Sequence, residues 1–217
     1  MYSLINQHVE PLLDGLSKGT PSTPPHFEEY CWLFERLQQG DVTTDTDFQR
    51  RYKAFWSMNV ARLDKSYLAE HFRFLEQHKL ERPAPSVEAV ARHLYAFPTG
   101  TDGRKTLQFS FASKLVHMIS PAMPVYDRMV EHFYFLPNGS ETGLDRLGKL
   151  MKSYDFLVGE HRRIIGANLL QEGIDACRRR FPNANLTNEK IIDSLIWSFV
   201  SKLQSGWVRD GQVAYSS

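Results

Sequence analysis

The chain has 217 residues, 42% of them hydrophobic, enough apolar side chain to bury a full core as one large domain or as two small lobes sharing a cleft. Its 26 basic and 25 acidic side chains nearly cancel, so no global field draws it to nucleic acid, and any such contact must come from local patches. The opening MYSLINQHVEPLL lacks the basic start and apolar run of a leader, and no stretch approaches the roughly 20 apolar residues of a membrane span, so a soluble, cytoplasmic protein with no membrane partner is expected.

Residues 1 to 16 have the pattern of a short helix. Gly19 to Pro25, rich in prolines and small polar residues, stops it. The pattern resumes at His26, where Phe27, Tyr30, Leu33, Phe34 and Leu37 build one broad apolar face that ends at Gly40 and Asp41. From Asp47 to Lys79 the pattern is again helical, and so long a run is expected to break once, near Asp64 to Ser66. Glu81 to Ser86 is a proline-bearing linker whose last residue can cap the next helix. That helix carries Val87, Val90, Ala91, Leu94, Tyr95 and Phe97. Pro98-Thr99-Gly100-Thr101-Asp102-Gly103 is a tight connection between it and the next helix.

Ser110 to Val130, SFASKLVHMISPAMPVYDRMV, organises the rest. It predicts an apolar helix, a short loop closed by Pro124, and Asp127 heading an aromatic second helix. An Asp there is an ordinary cap; behind the apolar Pro-Val-Tyr it is also a candidate for chemistry. Phe135 to Ser140 is a loop, and helices are expected at about 142–158, 160–180 and 187–204, with Trp197 of IIDSLIWSFV in the core. No run alternates as a strand does, and no internal repeat is present, so the expected class is all-α. The two cysteines, Cys31 and Cys177, have no metal-ligand partners at useful spacing and read as reduced core thiols. They cannot hold a four-cysteine iron–sulfur cluster, and nothing else calls for a metal or an organic cofactor.

A helix, a glycine-bearing connection, a second helix, a Pro-hydrophobic-hydrophobic-Asp segment and a third helix resemble the helix-hairpin-helix DNA glycosylase superfamily. The resemblance covers roughly residues 86 to 135. Ser110-Phe111-Ala112 and Pro124-Val125-Tyr126-Asp127 are similar to the paired motifs of its adenine-type branch, and Gly103-Arg104-Lys105-Thr106 to a motif of its endonuclease III branch. One departure is visible: Gly103 lies well before Ser110, whereas the family's glycines directly precede that position. The fold implied is a two-lobed helical bundle, with 86–135 as the hairpin and catalytic-Asp core of a single unit and the remaining helices forming the second lobe.

The resemblance implies cleavage of an N-glycosidic bond in double-stranded DNA, with no obligate protein partner. Asp127 would stabilise the positive charge that develops on the sugar and orient or activate a water. Ser110 would stand where other branches carry a lysine, which implies a monofunctional enzyme; Lys114, one helical turn later, and Lys105 are the candidate amines if a covalent route is used. Tyr126, His117, Phe111 and Trp56 are candidate walls for a flipped base. Gly100, Gly103, Arg104 and Lys105 are candidate DNA contacts, through backbone N–H groups and side-chain charge. Arg50, Arg51, Lys53 and the run Arg178 to Arg180 are further basic clusters. The base is left open between ordinary repair substrates and hypermodified cytosine of phage DNA, which would make the enzyme an antiviral one. The alternative is a non-catalytic helical module that binds DNA or protein and uses Asp127 only as a cap.

Overall fold

The computed structural model describes residues 1–18, 25–137 and 140–206, together with the backbone of 208–209 and 212–213. The expected breaker at 19–25 lies outside the described residues but for Pro25, and the tip of the 135–140 loop, 138–139, lies outside them as well.

The architecture is all-α, as expected. The N-terminal segment forms two helices, α1 (Tyr2–Gln7) and α2 (Val9–Ser17), rather than one. Pro11 explains the break: in a continuous helix it would stand in the interior without an N–H, whereas in α2 it falls in the first turn, whose N–H groups have no intrahelical partner. Helix α3 (His26–Gln39) ends at Gly40, and α4 (Thr46–Phe55) is capped by Asp45, which accepts from the Phe48 N–H. The long run up to Lys79 is interrupted over a wider stretch than expected. A 3-10 turn, Met58–Ala61, separates α4 from α5 (Lys65–His78), and Asp64 caps α5.

Ser86 caps α6 (Val87–Tyr95), accepting from the Ala89 N–H at 3.1 Å. Helices α7 (Phe109–Ile119) and α8 (Arg128–Tyr134) come next, with Asp127 as the cap of α8. The break expected near residue 159 is absent, because α9 runs unbroken over Leu147–Gly166. A mid-helix glycine costs about 1 kcal/mol relative to alanine, and the buried face carrying Tyr154, Leu157, His161 and Ile164 outweighs that. The chain turns instead at 167–170, where Asn168 takes a left-handed φ of 54°. Helices α10 (Gln171–Arg180) and α11 (Asn188–Gln204) complete the bundle, and a two-residue antiparallel ladder pairs β1 (Val208–Arg209) with β2 (Gln212–Val213).

Two buried clusters hold these helices together. One runs from Tyr30 to Leu157 and contains the buried faces of α4 to α7 and the first part of α9. The other joins α1 and α2 to α10 and α11, so the two ends of the chain share a core. Helix α3 belongs to both, with Phe27 in the second cluster and Tyr30, Leu33 and Leu37 in the first; Val130 and Phe133 of α8 divide the same way. Cys31 and Cys177 are both free thiols, the first half-buried and the second buried. Among the described residues no helix is long and apolar enough to cross a membrane.

Helices α6 and α7 pack against each other, and the connection 96–108 between them is closed upon itself. The Thr99 and Gly100 N–H groups both donate to the Arg104 carbonyl, at 2.9 and 3.2 Å, and the Gly103 N–H donates to the Gly100 carbonyl at 3.0 Å. Gly103 has a φ of +77°, which a side chain would strain. The expectation that the Gly100 and Gly103 amides would contact phosphate is therefore corrected: each already has an acceptor inside the loop. Arg104 and Lys105 are exposed, and Arg104 pairs with Asp102 at 3.0 Å.

Candidate functional site

A pocket of about 640 Å³ opens where the two clusters meet, with walls from α2, α3, α4, α7, the 120–127 segment and α11. Its polar lining includes Lys114 and Asp127, so the central stretch does deliver both to one cavity. Trp56 lines it too.

The geometry begins with α7. Its apolar residues bury most of its circumference, and Ser113 and Lys114 are carried inward with them, at 0% and 7% exposure. The Ser113 hydroxyl then ties α7 to the segment ahead of α8: it accepts from the Tyr126 N–H at 3.0 Å and shares its proton between the carbonyls of Ser110, at 2.9 Å, and Tyr126, at 3.1 Å. His117 Nδ1 donates to the Met123 carbonyl at 2.6 Å, which leaves Nε2 to accept from the Tyr30 hydroxyl at 3.0 Å. The Tyr154 hydroxyl donates to the Pro124 carbonyl at 3.0 Å. Three buried side chains thus clamp residues 123 to 126, and Asp127 emerges from a fixed backbone.

Asp127 is half-buried. Its Oδ1 accepts from the Met129 and Val130 N–H groups, at 2.9 and 3.2 Å, and among the described residues Oδ2 accepts no hydrogen bond. Burial pushes its carboxyl above the ordinary carboxylate range, against the pull of the Lys114 charge and the capping N–H groups. Burial also lowers the Lys114 amine, against the opposing pull of Asp127 and Asp193. Lys114 Nζ donates to the Trp56 carbonyl at 3.3 Å and stands 5.8 Å from the Trp56 ring and 5.6 Å from the Phe111 ring. No ion pair forms between Lys114 and a carboxylate of the described residues, so the amine is desolvated yet unclaimed by a counter-charge.

Of the remaining charged lining, Arg50 and Arg51 belong to a basic cluster already visible in the sequence, whereas Lys18, Glu29, Lys190 and Asp193 were not singled out. Lys190 on α11 is fully buried, pairs with Asp193 at 3.1 Å and lies within 4.9 to 5.4 Å of the rings of Tyr30, Phe55 and Trp56. His26, Phe55 and Trp197 form a stack on another wall, with His26 4.8 Å from Phe55 and 6.1 Å from Trp197. Trp197 was expected in the core; it is instead 41% exposed and lines the pocket. Arg51 forms a forked ion pair with Glu29 and lies over the Trp32 ring at 3.4 Å, while Arg50 and Lys18 are exposed at the same pocket. The sequence did hold a signal for the α11 residues: Lys190, Asp193 and Trp197 are spaced three and then four apart, on one face of an otherwise apolar helix.

Other expected site residues lie elsewhere. Ser110 is half-buried and does not line the pocket, its carbonyl being an acceptor for Ser113. Tyr126 is buried with its ring 5.2 Å from Phe109, and His117 is fully buried behind the pocket, its imidazole pushed down to about 3 mainly by that burial. Phe111 supports Lys114 without lining the cavity. Lys105, the other candidate amine, is on the exposed 96–108 connection and not at the pocket.

A desolvated primary amine, a carboxylate with one oxygen uncommitted and flat aromatic walls suit attack on an electrophilic carbon whose neighbouring oxygen gains positive charge. Comparison with family models, with curated proteins and with solved structures finds no match to this chain.

Proposed function

We propose that this chain is a DNA glycosylase of the helix-hairpin-helix kind, which draws a nucleotide out of the duplex and cuts the bond between its base and sugar. The observation that carries the proposal is the meeting of Lys114 and Asp127 in one pocket, from the helix and the Pro-hydrophobic-hydrophobic-Asp segment of the motif. The aromatic walls suit a flipped base. The basic side chains around the cavity outnumber the acidic ones, which supports approach of a phosphate backbone by a protein of nearly zero net charge.

In place of the monofunctional route with Ser110 at the lysine position, the proposed route uses Lys114, because Lys114 lines the pocket and Ser110 does not. In this route its uncharged amine attacks C1′ as the bond to the base breaks; the departing base keeps the electron pair and takes up a proton. The nitrogen gives up one proton, which balances the one the base takes up; the C1′–O4′ bond then opens, O4′ keeps that electron pair and takes the nitrogen's second proton, and an imine is left at C1′. Asp127 Oδ2 faces the charge that develops on the sugar, while Oδ1 stays bound to the backbone of α8. Burial lowers the amine's affinity for its proton, which favours the nucleophilic form, against the opposing pull of Asp127 and Asp193. The cavity is roomier than a bare base needs, which supports a bulky target such as a hypermodified phage cytosine and an antiviral role.

The test is incubation with duplexes carrying 8-oxoguanine, mispaired adenine, an alkylated base, mismatched thymine or glucosylated hydroxymethylcytosine, scored for alkali-labile sites with and without borohydride. Release from one of them, lost in Asp127→Asn, is expected, with a trapped adduct lost in Lys114→Met. Tight DNA binding with no release from any duplex would refute the proposal and leave the binding-module reading, which the capping bonds of Asp127 favour.

A further inference from the structure

The proposed route takes two protons off the Lys114 nitrogen, and one carboxylate cannot serve both that nitrogen and the sugar. A carboxylate that accepts a proton becomes neutral and no longer stabilises positive charge growing beside it. Asp127 has that charge to face, with Oδ1 already bound to the α8 backbone. A second base is needed at the pocket, and the lining offers Glu29, His26 and Asp193. Glu29 is claimed through both oxygens by Arg51. His26 is stacked on Phe55 with Nε2 3.2 Å from the Ser194 hydroxyl, and burial holds its imidazole well below the ordinary range, which makes it a weak base.

Asp193 has neither handicap. Its Oδ2 is held at 3.1 Å by Lys190, a buried ammonium set over the rings of Tyr30, Phe55 and Trp56. Among the described residues Oδ1 accepts no hydrogen bond, and the side chain is 10% exposed and lines the pocket. The placement follows from packing: α11 packs against α8, the helix that Asp127 heads, so both aspartates come to one cavity. The charge of Asp193 acts on Lys114 and on Asp127 alike. A buried ion pair adds little net stability over apolar side chains of similar volume, so packing alone does not account for this one. We propose that Asp193 Oδ1 is the proton acceptor for the Lys114 amine, with Lys190 as the positioning residue that fixes it. Oδ1 takes the first proton as the bond from nitrogen to C1′ forms and passes it to the departing base, which has kept the electron pair of the broken bond. Free again, it takes the second and passes it to O4′ as the sugar ring opens. The part of Asp193 in base release rests on the glycosylase reading above; its part at the amine does not.

The test reads the amine directly, without DNA. The protein is incubated with acetaldehyde and cyanoborohydride, and the reduced adduct at Lys114 is timed by peptide mass spectrometry. Forming that imine moves both protons of the nitrogen to the carbonyl oxygen, which leaves as water, so it uses the same acceptor. Asp193→Asn keeps an oxygen for Lys190 but no base, and is expected to slow the adduct about a hundredfold. Lys190→Met/Asp193→Ala leaves no buried charge unpaired and makes room for a small carboxylate. It is expected to be equally slow, with formate restoring about tenfold of the rate and chloride none. Circular dichroism checks that both variants stay helical. A parent unlabelled at Lys114, a variant labelled at the parent's rate, or a loss that formate does not restore would overturn the assignment. Base release from the duplexes above separates the two readings. A formate-restored adduct with no release by the parent upholds Asp193 and removes the glycosylase reading, whereas release that Asp193→Asn leaves at the parent's rate overturns Asp193 and leaves that reading standing.

Discussion

Replacing Ser113 with alanine removes the hydroxyl that fixes α7 against the segment leading to Asp127. Ser113 is fully buried, and its Oγ is the acceptor for the Tyr126 N–H at 3.0 Å. In Ser113→Ala that N–H faces the core without a partner, which costs about 1–3 kcal/mol, and the lost bond to the Tyr126 carbonyl adds about 1 kcal/mol. The better helix propensity of alanine returns about 0.5 kcal/mol. The net loss, about 2 kcal/mol, lowers Tm by about 4–8 °C in a chain of this length. Thermal unfolding followed by circular dichroism reads it directly. Because Lys114 follows Ser113 and Asp127 follows Tyr126, borohydride trapping at 25 °C should fall by more than the small unfolded fraction accounts for. A Tm within about 1 °C of the parent would show that this hydroxyl does not hold the two elements in register.

Asp127→Asn should hold or raise Tm while abolishing base release, since asparagine caps as well as aspartate and no longer carries a charge that burial disfavours; a large fall in Tm would show that the carboxylate is structural. Lys190→Met leaves Asp193 buried without its partner and should cost about 3–5 kcal/mol by denaturant unfolding, most of it recovered in Lys190→Met/Asp193→Leu; equal stability of the single and double variants would contradict a buried pair. Burial holds the imidazoles of His71 and His117 down to about 3 and that of His161 to about 4. Their pKa values are lowered in the fold, so as pH falls towards and below about 6.5 the unfolded chain takes up protons first and stability declines. Three such groups remove about 4 kcal/mol between pH 7.5 and 5.5. Denaturant unfolding at those two pH values measures this, and equal stability at both would refute it.

Local signals carried much of the fold. The apolar face of α3, the Ser86 cap and the Asp127 cap were each legible because a few neighbouring side chains decide them. The break expected near residue 159 failed for the opposite reason: a mid-helix glycine has a real local cost, but packing of residues distant in sequence overrides it. Within the site, Asp127 was legible from its unusual apolar surroundings, and Lys114 from its place one turn after Ser110. Ser110 itself was favoured by motif alignment, yet it does not reach the cavity. Lys190, Asp193 and Trp197 escaped because KIIDSLIWSFV reads as core; only α2 packing alongside, with His26 of α3 against Trp197, shows that one face of α11 opens on a cavity. The Ser57–Arg62 turn, left-handed at both ends, has no glycine to announce it.

The core shared by α1 and α2 with α10 and α11 has a consequence for the order in which the molecule is made. Every wall of the pocket but one is built from residues 15–127, and the missing wall, with Lys190, Asp193 and Trp197, belongs to α11. During synthesis α2 must wait for α11 before its apolar face is covered, a long-range closure that slows folding. Until α11 packs, the cavity that holds Lys114 and Asp127 lacks the wall carrying Lys190, Asp193 and Trp197. On the proposed route the site is complete only once α11 has packed against α2 and supplied the last wall of the cavity.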